Sequence, residues 1–222
     1  MQLVIRRYRP SDQDQVFALS KLCIEEHIRP CFYSAMTSPL YLAITLALCV
    51  AGYLLYSALG AVVLPGVWMS LVNYCCHELF ASYVRVRTDL QDIPGNYLSR
   101  PDDCYWVAAT EVDGRTTVMG MVGVVCRQSG TERHGELFRM MVSPSCRRVG
   151  LGTRLAQTVI DFCKERGFSK VVLRTTTAHT AGGALYKKLG FIHVLSHMRT
   201  PSPVWVVKLA KVTVLVIEKV LK

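Results

Sequence analysis

Between Pro39 and Cys76 the sequence has no charged residue. Thirty-eight uncharged positions exceed what a buried helix needs. They approach two minimal membrane spans of roughly 17–20 residues each. A small soluble α/β core has no use for such a run. The Cys-x-x-Cys spacing is also missing, although there are nine cysteines. An odd number without that spacing argues against a disulfide framework and against a metal site, and for mostly reduced thiols in or facing the cytosol. No basic run is interleaved with aromatics, so nucleic acid is the least suitable partner for the net charge of +10. Residues 1–20 are charged and polar, which argues against a secretion leader. No internal repeat or low-complexity segment is visible.

What remains is a chain of 222 residues, enough for one good-sized domain with an insertion. Hydrophobic content of 51% and a mean hydropathy of +0.27 are high for a soluble protein, and the excess sits in the uncharged run. A charge of +10 suits a membrane surface or a phosphate-bearing ligand.

The most informative stretch is Glu136–Gly152, ELFRMMVSPSCRRVGLG. Glu136–Val142 is a run of strand formers, broken by Pro144 and Ser145. Thr153–Arg166 reads as an amphipathic helix with Leu155, Val159, Ile160, Phe162 and Cys163 on one face and Gly167 as its stop. Between them lies a basic, glycine-containing turn. Backbone N–H groups at the helix start, with the positive end of its dipole, make Arg147, Arg148, Val149, Gly150, Leu151, Gly152 and Thr153 a candidate anion site. A Rossmann fingerprint would need Gly or Ala where Leu155 stands. A nucleotide P-loop would need Lys-Ser/Thr after the second glycine. Arg147, Gly150 and Gly152 fit instead the Arg/Gln-x-x-Gly-x-Gly/Ala turn of the GNAT N-acetyltransferases. Downstream, Leu185-Tyr186-Lys187-Lys188-Leu189-Gly190-Phe191 resembles the later Leu-Tyr-x-x-x-Gly-Phe signature of that family. The resemblance implies the GNAT acyl-CoA N-acyltransferase fold, an α/β (α+β) architecture with a mixed central sheet, here carrying an inserted hydrophobic helical hairpin.

In chain order, Leu3–Tyr8 reads as a strand, and Ser11 or Asp12 can cap a helix through Val16, Leu19 and Ile24. The uncharged run follows, with candidate turns at Ser57–Gly60 and Pro65-Gly66. One strand and helix precede the run and the rest of the fold follows it. The run must therefore return to the side it left, as a helical hairpin or a re-entrant loop. Arg29 on one flank and Arg85 and Arg87 on the other favour the cytosol for both ends. His77–Leu98 reads as a helix, a break at Pro94-Gly95 and a further helical turn. Cys104–Ala109 and Val118–Cys126 read as strands joined through Asp113-Gly114, and Gln128–Gly135 as a polar loop. Lys170–Leu173 reads as a strand, Thr180–Leu189 as a helix ended by Gly190, and Phe191–Met198 as a strand. This divides the chain into 1–38, the insertion 39–76, the remainder 77–200, and a tail 201–222 that forms a last strand, an amphipathic segment on the membrane, or both.

The family resemblance implies acetyl-CoA as cosubstrate and the following roles. The pantetheine arm pairs with the strand at Met140, Met141 and Val142. The Met140 N–H polarises the acetyl carbonyl, and Tyr186 protonates the departing sulfur. Glu136 lies fourteen residues before Gly150, a spacing similar to that of the family's general-base glutamate. Partial shielding by Phe138 and Tyr105 would suit such a base, and His134 and His179 are alternatives. His179 stands where many members carry a coenzyme-contacting Asn. Arg87–Ile93 (RTDLQDI), Cys104–Ala108 (CYWVA) and Val118–Gly123 (VMGMVG), together with the hydrophobic insertion, are similar to the camello-type, membrane-bound branch. That implies an enzyme of the endoplasmic reticulum membrane, and the basic flanks of the insertion favour a cytosolic catalytic domain. The expected partners are acetyl-CoA, membrane lipid and an amine. A small amino-acid-type acceptor such as a cysteine S-conjugate comes first. Aspartate or a lysine of a reticulum protein is the alternative, and a non-catalytic scaffold is the rival of a different class.

Overall fold

The computed structural model describes residues 3–86, 88–112 and 115–221. Its sheet has seven strands: β1 (Leu3–Arg7), β2 (Cys104–Val112), β3 (Arg115–Ser129), β4 (Glu132–Val142), β5 (Lys170–Thr176), β6 (Ile192–His197) and β7 (Val214–Val220). Their spatial order is β1-β2-β3-β4-β5-β7-β6. The first four form an antiparallel meander, and β4 and β5 run parallel. Alternation along the strands supplies two buried faces. On one face, Trp106, Ala108, Val122, Val124, Leu137 and Leu173 pack against α4 (Leu151–Glu165), whose Leu155, Val159, Ile160 and Cys163 recur at helical spacing. On the other, Tyr105, Val107, Met121 and Val125 meet Val16, Leu19 and Cys23 of α1 (Gln13–Glu25) and Leu90, Ile93 and Tyr97.

The chain separates into two compact units. One holds residues 1–24, 87–196 and 215–222 and contains the sheet. The other holds 25–86 and 197–214, with α2 (Ile28–Met36), α3 (Pro39–Arg85) and α6 (Val204–Leu209). α3 is not one rod. Ser57 has φ 71° and ψ −165°, which breaks the helix. Tyr41 and Trp68 meet edge to face with ring centroids 5.0 Å apart. In a straight helix those residues would be about 40 Å apart. The arms therefore run antiparallel. At the reversal a Cβ on either Gly52 or Gly60 would collide with the other's backbone, so only glycine permits the approach. Of the two candidate turns, the reversal uses Ser57, while Pro65 lies inside the second arm. That arm continues past Cys76 to Arg85, where Arg85 pairs with Glu78.

Leu42, Leu46, Val50, Leu54, Leu59, Val62 and Val67 of the hairpin face outward. Residues 39–56 make an arm of roughly 27 Å, close to the thickness of a hydrocarbon core. The segment is long and apolar enough to cross a membrane. β1, which precedes it, pairs with β2, which follows it, from Leu3 opposite Thr110 to Arg7 opposite Trp106. The chain thus returns to the sheet it left, as the sequence argument requires.

Two local readings need correction. Gln128–Gly135 is not a loop: β3 and β4 pair as far as Ser129 opposite Glu132, and Gly130-Thr131 makes the turn. These strand ends project into solvent, so both faces are polar and the alternation that marks a strand is lost. α4 also begins at Leu151, two residues before the expected start. The turn at Asp113-Gly114 lies outside the described residues, with Val112 and Arg115 paired beside it. In the tail, 204–209 is α6, and 214–220 is β7, seated between β5 and β6.

Candidate active site

The site begins where two parallel strands part. β4 and β5 are paired from His134 opposite Lys170 to Leu137 opposite Leu173. Both strands continue beyond that rung, to Val142 and Thr176, without further pairing. On its other side β4 carries a bulge. Met121 faces Met141 and Gly123 faces Phe138, so β4 has one residue more than β3 in this interval. Arg139 sits in the bulge at φ 53°. Arg139 and Met140 consequently have no ladder partner on either flank.

The bulge is braced. Arg139 donates to both carboxylate oxygens of Asp89, at 2.8 and 2.6 Å, and the Tyr97 hydroxyl donates to the same carboxylate at 2.6 Å. Burial disfavours the Asp89 charge, but the bonds from Arg139 and Tyr97 outweigh it and hold its carboxyl below the usual range. Because that value is depressed in the folded state, the contribution to stability is present above about pH 4 and is lost as pH falls through the folded value. We predict that Asp89→Asn lowers stability by about 1–3 kcal/mol and flattens the acid limb of a melting-temperature profile. An unchanged acid limb would mean that the brace contributes little.

α4 is capped by Gly150, in a left-handed conformation at φ 82° with open space where a Cβ would stand; Arg148 is also left-handed at φ 64°. The first turn of α4 has no acidic residue, and the amides of Leu151, Gly152 and Thr153 lie ahead of its first helical bond, from Arg154 N–H to the Gly150 carbonyl at 3.1 Å. A Cβ on Gly152 would come within 3.2 Å of Leu185 Cδ2 and 3.5 Å of Met140 Cε, so β4, α4 and α5 (Thr180–Lys188) meet there. Arg147 folds back and donates from Nε and Nη2 to the Val142 carbonyl, both at 3.2 Å. Tyr186 of α5 is buried, packs against Phe191 at 5.6 Å and sends its hydroxyl to Met140 Sδ at 3.5 Å. Burial raises its phenol above the ordinary value. His179 is exposed at the start of α5.

Glu136 is buried close to this cleft. It lies within β4 rather than at a strand end. Its Oε2 accepts from Arg127 Nε at 3.0 Å, and Arg174 Nη1 is 3.0 Å from Oε1. Guanidinium groups from β3 and β5 flank its carboxylate, and that of Arg127 also lies 6.0 Å from the centre of the Phe138 ring. His134 is two residues away on the same strand face, with Nδ1 buried and lacking a hydrogen-bond partner.

The structure thus brings together Met140, Gly152 and Tyr186, with Val142 tied to Arg147 and Glu136 one strand segment away. Sequence reasoning missed Arg127, Arg174 and the Asp89–Arg139–Tyr97 brace. Asp89 lies in the RTDLQDI stretch, but a pairing across fifty residues leaves no mark in one sequence.

The sequence model of the Acetyltransferase (GNAT) family matches residues 71–191, more than half of the chain. The chain belongs to the GNAT family. It is similar to N-acetyltransferase 8 of Homo sapiens, 32% identical over 197 residues, covering 84% of this chain and 83% of the relative. A Xenopus tropicalis protein that carries the name camello is 31% identical over 195 residues, covering 84% of each. N-acetylaspartate synthetase of the same organism is 28% identical over 201 residues, covering 87% of this chain and 70% of the relative. The crystal structure of a GNAT acetyltransferase from Staphylococcus aureus Mu50 superposes with a TM-score of 0.58 at 15% identity over the full length of both, a likeness of fold. As a GNAT enzyme the chain is an N-acetyltransferase with acetyl-CoA as cosubstrate. Its site fits that molecule: a bulge with unpaired backbone, a splayed strand pair and a helix N-terminus beside open space at Gly150.

Proposed function

We propose that this GNAT enzyme acetylates the amine of a small amino-acid-type acceptor, a cysteine S-conjugate first, by direct transfer within a ternary complex. The meeting of the β4 bulge, the start of α4 and Tyr186 at one point carries the reading. Bound acetyl-CoA supplies an activated thioester. Arg148 and the amides of Val149, Gly150, Leu151, Gly152 and Thr153 hold the pyrophosphate. Arg147 fixes that loop to the end of β4 through Val142. Met141 and Val142 offer the strand edge that β5 leaves, and His179 contacts the coenzyme from α5. The Met140 N–H polarises the acetyl carbonyl. Glu136 removes a proton from the acceptor ammonium, and Tyr186 donates to the departing sulfur. The name of the relative N-acetylaspartate synthetase supports an amino-acid acceptor. The apolar hairpin supports acceptors that partition into lipid.

Free-thiol release from acetyl-CoA by the full chain in detergent, with S-benzylcysteine, aspartate, lysine and a lysine peptide, tests this reading. Fastest turnover of S-benzylcysteine is expected. Turnover of the peptide alone would make the enzyme a protein lysine acetyltransferase. Silence with every amine, acetyl-CoA still binding, would favour a scaffold. We place the enzyme in the endoplasmic reticulum membrane with its catalytic unit in the cytosol, on the basic residues flanking the hairpin. Protease added outside sealed microsomes should then cut both the N-terminal segment and the Gly130-Thr131 turn. Protection of either one overturns that orientation.

A further inference from the structure

The charges around Glu136 do not balance. One carboxylate faces two guanidinium groups, which leaves a net charge of +1 on the cluster. The partition of exposure is equally uneven. The Glu136 side chain is 7% exposed, whereas Arg127 and Arg174 are 53% and 59% exposed. What the cluster presents to solvent is therefore its positive component. Glu132 and Glu218 are engaged at Lys170, four residues before Arg174 on β5.

The cluster's position gives this charge a use. Arg127 is on β3 opposite His134, two register steps from Glu136 and so on the same face of the sheet. Arg174 follows Leu173, the last residue of β5 paired with β4, and so stands where the strands begin to part. The Arg127 guanidinium carbon lies 6.0 Å from the centre of the Phe138 ring, a contact that limits its wandering. A planar guanidinium fork matches a carboxylate in geometry as well as charge. In an α-amino acid the amine and the carboxylate share one carbon. A molecule with its amine facing Glu136 would hold its carboxylate within a few bonds of these arginines. A lysine side-chain amine lies too many bonds from any backbone carboxylate, and inside a peptide that carboxylate does not exist.

We propose that Arg127 and Arg174 form an acceptor-carboxylate site, selecting free α-amino acids and their S-conjugates over neutral amines and peptide lysines. The inference rests on the reading that an amine is acetylated beside Glu136. The test measures kcat/KM of the full chain in detergent for S-benzylcysteine and for S-benzylcysteine amide, which lacks the negative charge. Wild-type enzyme should prefer the acid about 10- to 100-fold. Arg174→Gln and Arg127→Gln should each lower that preference about tenfold, through KM for the acid, and Arg174→Lys should restore part of it. Comparing the ratio between enzymes cancels the different basicities of the two amines. It also cancels any change in Glu136 caused by losing an ion partner, since both acceptors share that step. Equal use of acid and amide by wild-type enzyme overturns the inference but leaves the amine acetyltransferase standing. So does a ratio that neither substitution moves. Absence of turnover with both compounds and with aspartate, while acetyl-CoA still binds, removes the parent reading and this inference with it.

Discussion

Replacing Tyr186 with Phe is expected to lower kcat about 100-fold and to leave the melting temperature within about one degree of wild type. The two expectations separate a catalytic hydroxyl from a packing aromatic. The ring of Tyr186 packs edge to face on Phe191 at 5.6 Å and belongs to the main core cluster. Phenylalanine keeps that ring. What it removes is one hydroxyl whose partner is the thioether of Met140 at 3.5 Å, a weak acceptor. Stability should therefore hardly notice. Catalysis should, because negative charge gathers on the sulfur only as the thioester breaks, and a fixed donor there acts on the transition state more than on the ground state. Burial pushes the phenol above its ordinary value, so it retains its proton through neutral and mildly alkaline pH and remains a donor throughout. Stopped-turnover measurement of kcat, acetyl-CoA affinity and a thermal melt decide the matter. Unchanged kcat would remove Tyr186 from the chemistry. A fall in kcat matched by a fall in melting temperature would make it a core residue.

The parts of this architecture that were legible in the sequence are those written in local pattern. The amphipathic spacing of α4, the glycines at 150 and 152, and the Leu-Tyr-x-x-x-Gly-Phe segment specify one helix, one glycine-containing turn before it and one tyrosine, and the structure brings Gly152 and Tyr186 together with Met140 of β4. The uncharged run announced a hairpin because its ends had to rejoin one sheet, and β1 does pair with β2. Contacts made across the sheet were not legible. That Glu136 would meet Arg127 and Arg174 depends on register between β3, β4 and β5, and a single sequence carries no register between distant strands. The polar strand ends at 128–133 show the same limit: where neither face is buried, hydropathy has nothing to alternate. The bulge at Arg139 is held by Asp89, fifty residues earlier, and a left-handed arginine gives no compositional warning as a glycine would.

Glu136→Gln carries the second large expected effect, a fall in kcat/KM of about 100- to 1000-fold at neutral pH. The amide keeps the shape and can still accept from Arg127, but it cannot take a proton. Without a base, the enzyme can use only the fraction of acceptor that is already a free amine. The rate of the variant should then climb about tenfold per pH unit until the acceptor amine itself is deprotonated. Wild-type enzyme, with Glu136 to take that proton, should level off at lower pH. The gap between the two profiles should therefore close as pH rises. A purely structural role predicts something different, because Glu136 neutralises one of two guanidinium groups held at 3.0 Å. If its value lay in that pairing alone, the variant would lose melting temperature and acetyl-CoA affinity. Its pH profile would then keep the wild-type shape at a lower amplitude. Parallel profiles would thus transfer the proton-accepting role to another group, with His134, two residues earlier on the same face of β4, the first to substitute.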